Sequence, residues 1–275
     1  MKHFRANRPL TINEVQKFAP AAFADKAASD VSKNYAFLST RNLIETLEKK
    51  SIVPFAVAQT KVRSDEAKET AKHLIRFRHI DHKIELGEVV PEVVLETSHD
   101  AKSSFKFSLG LFRLICENGL VAPCSVIDTI RIKHINANDS DVIDASFEVL
   151  DKSDDAIENI LEMKRKVLTV DERLSFANEA LGLRWEKQNE RPDFQIEKLL
   201  KPRRRKDIDL DLWTTFNVVQ ENLMRGGIVS FKLNDLGYPV TRQTTRAVNS
   251  ITKNLELNKD LWTLANKFLD SRLTL

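Results

Sequence analysis

The sequence predicts an α+β protein, an antiparallel β-meander with flanking helices in the N-terminal half followed by a helical C-terminal half. Three observations carry that prediction. Short segments between about residues 54 and 133 alternate apolar and polar side chains. After about residue 138 the apolar spacing changes to that of a helix. Helix start and stop signals then punctuate the second half.

The elements follow in order. "PAAFADKAASDVSKNY" reads as an irregular arm or a short helix. "TRNLIETLEKKS" sets Leu43, Ile44 and Leu47 on one helical face, with Thr40 placed to cap it. In "PFAVAQTKVR", Phe55 and Val57 face one way and Ala56 and Ala58 the other. In "KHLIRFRHI", Ile75 and Phe77 share one face and Arg76 and Arg78 the opposite one. "PEVVLET" sets Val93 and Leu95 against Glu92, Val94 and Glu96. "SSFKFSL" sets Phe105, Phe107 and Leu109 against Lys106 and Ser108, and "DTIRIKHI" sets Ile130 and Ile132 against Arg131 and Lys133. Half-polar strands joined by short polar links predict an antiparallel sheet with one wet face.

From "DVIDASFEVL" onward the pattern is helical. "TVDERLSFANEALG" opens with a capping box, Thr169 to Glu172, and Gly182 reads as its stop. "DLDLWTTFNVVQENLMRGG" stacks Leu212, Phe216, Val219 and Leu223 and ends at Gly226–Gly227. A last amphipathic helix turns Leu261, Leu264 and Phe268 inward. The halves are 1–138 and 139–275, as two regions or as one continuous domain.

Composition excludes some classes. Apolar residues make up 42% of the 275 and charged residues 30%, a globular balance. No apolar run approaches the roughly 20 residues that span a bilayer. "MKHFRANRPLTINEV" has no apolar core of the kind a secretory signal needs, so no membrane or export role is expected. Cys116 and Cys124 are too few for a disulfide framework, which points to a reducing cytoplasm. Net charge is +3, split as +5 over 1–135, −7 over 136–180 and +5 over 181–275. Basic regions of this kind attract polyanions, and they also occur as plain solvated surface.

Candidate binding residues are cationic. Arg76, Arg78, Lys106, Arg131 and Lys133 fall on the expected wet face, where they meet either a phosphate backbone or Glu92 and Glu96. "KPRRRKD" concentrates Arg203, Arg204 and Arg205 after Pro202. The planar guanidinium fork suits phosphate, but pairing with Asp207, Asp209 and Asp211 competes. "DIDLD" lacks the glycine and terminal glutamate of a calcium loop and reads better as helix N-terminal acids. Ser98, His99 and Asp100 have the residue types of a hydrolytic triad, yet adjacent strand residues point alternately and read better as a turn. Cys116 among Leu, Ile and Phe reads as core. Trp185, Trp213 and Trp262 sit at helical spacing and read as core before base-stacking platforms. There is no phosphate loop, dinucleotide motif or zinc spacing, so neither cofactor nor metal is expected.

Two long stretches, "SHDAKSSFKFSLGLFRLICENGLV" and "LLKPRRRKDIDLDLWTTFNVVQENLMRGG", resemble the YfjQ/YafZ-like proteins of prophages and plasmids, a family with a domain of unknown function. The family pattern of serine–histidine–aspartate, glycine, serines and G-x-FR-x-x-C-x-NGL fits Ser98, His99, Asp100, Ser103, Ser104, Gly110, Phe112, Arg113, Cys116, Asn118, Gly119 and Leu120. Ala101 stands where the family has the glycine after aspartate. The P-R-R and D-L-W-T-T-x-x-x-x-Q-E-N motifs fit Pro202, Arg203, Arg204, Asp211, Leu212, Trp213, Thr214, Thr215, Gln220, Glu221 and Asn222. The resemblance implies a mobile genetic element. The order of helix and meander is similar to the core of phage single-strand-annealing proteins, an analogy of fold.

The expectation is therefore a non-enzymatic DNA-binding protein, with single-strand annealing or recombination in view and a homo-oligomer as one possible state. Two rivals stand beside it. One is a counter-defence protein that binds a host defence or recombination protein, with the acidic stretch 139–162 as its face. The other is a metal-dependent nuclease using His99 and Asp100.

Overall fold

The computed structural model describes residues 2–80, 89–113, 118–121, 129–134, 139–187, 191–192, 194–234, 236 and 238–271. They form two compact units, Met1–Asp154 and Asp155–Leu275.

The first unit is built on an antiparallel sheet. Strands β1 (Lys2–Arg5), β2 (Ile52–Gln59), β3 (His73–His79), β4 (Val89–Thr97), β5 (Phe105–Arg113) and β6 (Asn118–Val121) lie in chain order. Strand β7 (Ile130–Ile132) pairs with the far end of β5. The register aligns Val57, Ile75, Leu95, Phe107 and Ile130 in one row across five strands. The first four of these are at most 1% exposed. Such cross-strand apolar rows are the unit of sheet stability. Helices α1 (Ile12–Phe18), α2 (Thr40–Glu48), α3 (Asp65–Thr70) and α4 (Asp139–Asp151) complete the unit. Helices α2 and α4 contact each other, and Leu43 of α2, Val142 of α4 and Phe105 of β5 line one small cavity, which places both helices on the apolar face.

The expected wet face is not wet in the middle of the sheet. All nine residues of β4 are buried, and so are six of the seven of β3. The polar side chains at Arg76, Arg78, Glu92 and Glu96 are only 0–5% exposed. The alternation was real, but opposite charges in register neutralise one another and allow both faces to be covered.

The second unit holds α5 (Ser153–Arg165), α6 (Val170–Arg184), α7 (Leu212–Arg225) and α8 (Ile251–Asp270). Every residue of α7 from Leu212 to Leu223 is buried, so this helix is the axis of the unit. Trp213 stacks on Phe216 at 5.6 Å and meets Trp262 edge-on at 6.4 Å. The capping box Thr169–Glu172 is present, and Asp211 caps α7 through the Thr214 amide.

Three local expectations are corrected. The N-cap of α2 is Ser39, whose hydroxyl accepts from the Asn42 amide, while Thr40 turns into the core. Helix α6 passes through Gly182 and ends at Trp185. The second unit also contains a hairpin, β8 (Val229–Leu233) with β9 (Pro239–Thr244). The regions expected around Cys116 and Cys124 lie outside the described residues. None of the described helices is long and apolar enough to cross a membrane.

Candidate functional site

Three places in the fold gather the residues that sequence reasoning singled out. The first is the centre of the sheet. Arg76 and Arg78 leave β3 on the same face and both donate to Glu92 of β4. The Arg78 contact is 2.8 Å, and the side chains are 7%, 6% and 0% exposed for Arg76, Arg78 and Glu92. Burial alone would raise the Glu92 carboxyl, but the guanidinium charges of Arg76, Arg78 and Arg5 overcome it and hold the group below its ordinary range. The Arg78 guanidinium is lowered, chiefly by burial. Its plane also lies 4.4 Å from the ring of Phe55.

Gly110 stands opposite Glu92 on β5. A side-chain carbon there would come within 2.7 Å of both Arg76 Nη2 and Val94 Cγ2. The glycine is what lets Arg76 lie across the strand. Further along the same face, Glu96 accepts from Lys72 at 3.0 Å and from Lys106 at 3.1 Å. So Arg76, Arg78 and Lys106, expected as phosphate contacts, are engaged by Glu92 and Glu96. Arg131 sits opposite Lys106 in register, and Arg131 and Lys133 are exposed.

The second place is the turn after β4. The Ser98 hydroxyl donates to Asp100 at 2.5 Å, away from His99. The His99 imidazole is fully buried and reaches the Thr40 hydroxyl at 3.2 Å, which in turn meets His73 Nε2 at 3.1 Å. The tautomers follow from one carbonyl. His73 Nδ1 lies 3.0 Å from the Ala71 oxygen, which can only accept, so Nδ1 carries the proton. His73 Nε2 then accepts from Thr40, and the Thr40 oxygen accepts from His99 Nε2–H. Burial lowers His73 to about 4 and His99 to about 3, with the neighbouring histidines adding to the shift of His99. Serine, histidine and aspartate are adjacent here without forming a nucleophile–base pair. Among the described residues no group of three metal-ligating side chains occurs.

The third place is "KPRRRKD". Arg203 donates to Asn222 Oδ1 at 2.7 Å and to the Gly226 carbonyl at 2.6 Å. Arg204 grips Glu221 with two nitrogens, at 2.5 and 2.6 Å, and reaches Asp207 at 3.2 Å. Asn222 donates back to the carbonyls of Leu199 and Lys201. Gln220 donates to Asn258 of α8. The arginine segment is thus clamped onto buried α7 by two consecutive polar residues, Glu221 and Asn222, while Gln220 beside them ties α7 to α8. Lys201, Arg205 and Lys206 are exposed, and their side chains make no hydrogen bond or ion pair with any described residue. Of the tryptophans, Trp213 and Trp262 are 2% exposed and belong to the core, and the guanidinium of Arg184 covers Trp185 at 4.3 Å.

These clamps coincide with the motifs that carried the resemblance, and comparison settles the family. A family model described as domain of unknown function (DUF932) matches residues 27–262. The chain belongs to the DUF932 family. UPF0380 protein YafZ of Escherichia coli (strain K12) is 34% identical over 265 residues, covering 96% of this chain and 93% of that protein. UPF0380 protein YfjQ of the same organism is 33% identical over the same coverage. No solved structure matches the chain.

Three of the motifs that carry the resemblance gain a physical meaning in this chain. The P-R-R and Q-E-N motifs are the two halves of the Arg203–Asn222 and Arg204–Glu221 clamp. Gly110, which heads the G-x-FR motif, makes room for the buried Arg76–Glu92 pair. Ala101 occupies the turn with φ of 59°, the left-handed region in which glycine is at ease. For Arg113, Asn118 and Gly119 the backbone pairs β5 with β6, Arg113 opposite Asn118 and Phe112 opposite Gly119. The hairpin β8–β9 was missed from the sequence. Its signals were the alternation Val229, Phe231, Leu233 and the turn-forming "NDLG".

Proposed function

We propose that this DUF932 protein is a cytoplasmic, non-enzymatic nucleic-acid-binding protein of a prophage or plasmid, of the kind that serves recombination or strand annealing. The observation that supports it is the division of labour in "KPRRRKD". Arg203 and Arg204 fasten the segment to α7, and that leaves Lys201, Arg205 and Lys206 exposed on a fixed backbone. Cations on a rigid frame can meet phosphates with little further loss of entropy. In the other unit, Arg131 and Lys133 offer a second exposed pair.

The test is fluorescence anisotropy of labelled single-stranded and duplex DNA over a salt series. The reading requires affinity that falls with salt and a weaker slope in Arg205→Ala/Lys206→Ala, by about one unit for each phosphate contact removed. Salt-independent or absent affinity contradicts it. Arg203→Ala and Arg204→Ala are unsuitable probes, because both residues hold the fold.

A second reading has one observation of its own. Val167, Val170, Ile208 and Leu210 are 59%, 71%, 64% and 48% exposed around the antiparallel bridge Val167–Asp211. An exposed apolar patch of this kind supports a counter-defence protein that binds a host protein. That reading requires a stable host complex that is lost on Val170→Glu/Ile208→Glu, with no DNA affinity.

A further inference from the structure

The hairpin β8–β9 spends apolar surface on solvent. Phe231 is 41% exposed, Leu236 80%, Tyr238 66% and Val240 59%. A bare two-stranded hairpin is marginal by itself, yet this one is held at both ends. At its root the Gly227 amide donates to the Thr245 carbonyl at 2.9 Å, and the Ile228 amide donates to the Thr245 hydroxyl at 3.0 Å. Lys198 donates to the Val229 carbonyl at 3.2 Å. Gly226 has φ of 63°, and a side-chain carbon there would strike the Thr245 oxygen at 2.5 Å. At the tip, Asn234 Oδ1 accepts from the amides of Leu236 and Tyr238. The aromatic rings are therefore presented on a supported frame.

Phe231 stands opposite Arg242 in register, so ring and guanidinium share a face. The Arg242 side chain is exposed and makes no hydrogen bond or ion pair with any described residue. Charge points the same way. Residues 226–249 contain three basic side chains, Lys232, Arg242 and Arg246, against one acid, Asp235. A partner that matches this face is anionic and offers flat apolar surfaces. An unpaired nucleic-acid strand offers both, whereas a duplex keeps its base faces stacked inside. The root of the hairpin also adjoins the clamped basic segment, since Arg203 donates to the Gly226 carbonyl.

We infer that hairpin β8–β9 is the base-contacting surface for single-stranded nucleic acid, with Phe231 and Tyr238 as stacking platforms and Arg242 on the adjoining phosphate. The inference rests on the nucleic-acid reading above and adds which form is bound and by which element.

The experiment compares wild type with Phe231→Ala/Tyr238→Ala, Phe231→Trp and Arg242→Gln, using labelled oligothymidylate and a labelled duplex at fixed low salt. Circular dichroism and thermal melting confirm that each variant is folded, and size-exclusion chromatography with light scattering follows mass. The double alanine variant is expected to lose roughly tenfold or more in affinity for oligothymidylate, in the range of base–aromatic stacking. Its duplex affinity stays near wild type, and Phe231→Trp retains single-strand binding. Salt-dependent binding that ignores the hairpin variants would overturn this inference alone. So would a change from dimer to monomer in those variants with oligothymidylate affinity unaltered, which would mark the hairpin as a contact between copies of the chain. Absence of binding to either DNA at low salt would overturn both this inference and the function proposed above.

Discussion

Arg204 holds Glu221 through a two-point guanidinium–carboxylate bond, with Glu221 only 3% exposed at its side chain. This pair ties the segment before α7 to the most buried helix of its unit. Arg204→Ala leaves a buried carboxylate facing Arg225, whose side chain is itself 48% exposed. The expected cost is about 3 kcal/mol of stability. Arg205→Ala removes an exposed side chain and should change stability by no more than about 0.5 kcal/mol. Urea unfolding of both variants, followed by tryptophan fluorescence, separates the two roles within one tripeptide.

Glu92 carries two guanidinium groups in the sheet, with Gly110 as their clearance. Glu92→Gln removes the buried carboxylate that both guanidinium groups share and should destabilise the protein by about 3–5 kcal/mol. Gly110→Ala forces the Arg76 side chain from its seat and should also destabilise. Chemical denaturation gives both values. A neutral result for Glu92→Gln would show that Arg76 and Arg78 are not bound as described.

Ala101 sits at φ of 59° in the turn after Asp100. A left-handed backbone costs an L side chain roughly 1 kcal/mol, which glycine does not pay. Ala101→Gly should therefore stabilise the protein by about 0.5–1 kcal/mol, offset in part by the greater freedom of glycine in the unfolded chain. Thermal melting would register this as a rise of about 2 °C.

The buried histidines set an acid limit. Folded His73 and His99 have pKa values of about 4 and about 3, against an ordinary value of 6.5. Between those values the unfolded chain binds protons that the folded one refuses, so stability rises with pH. The contribution is complete above about 6.5 and is lost as pH falls toward 4. The loss is at most about 1.4 kcal/mol per pH unit for each histidine. Glu92 and Glu96 are also lowered from 4.5, so their contribution fades at lower pH than that of the histidines. Chemical denaturation at pH 7.5, 6, 5 and 4.5 should show the decline, and His99→Gln should flatten it. His134, near His99, is lowered by burial too and adds to the same slope.

The sheet and the helical half were legible because their apolar periods are strong. The row from Val57 to Phe107 and the stripe Leu212, Phe216, Val219 both lie in the core. The site was less legible. Alternation placed Arg76 and Arg78 on one face but could not show that Glu92 meets both, since that depends on cross-strand register. Nothing local in "KPRRRKD" shows that Arg203 and Arg204 turn toward residues 19 and 17 positions away, while the side chain of Arg205 stays exposed. Asp207 was among the acids expected to compete, and it does bind Arg204, but Glu221 is the closer partner. Thr40 lay outside the cap because its hydroxyl is used by two histidines distant in sequence.

The salt dependence of single-stranded DNA binding by the intact protein tests the central claim most directly. Phosphate contacts by the exposed cations require measurable affinity at low salt, a linear fall of log affinity with log salt, and a shallower slope in Arg205→Ala/Lys206→Ala at unchanged stability. No affinity at low salt, or a slope untouched by that variant, would contradict it.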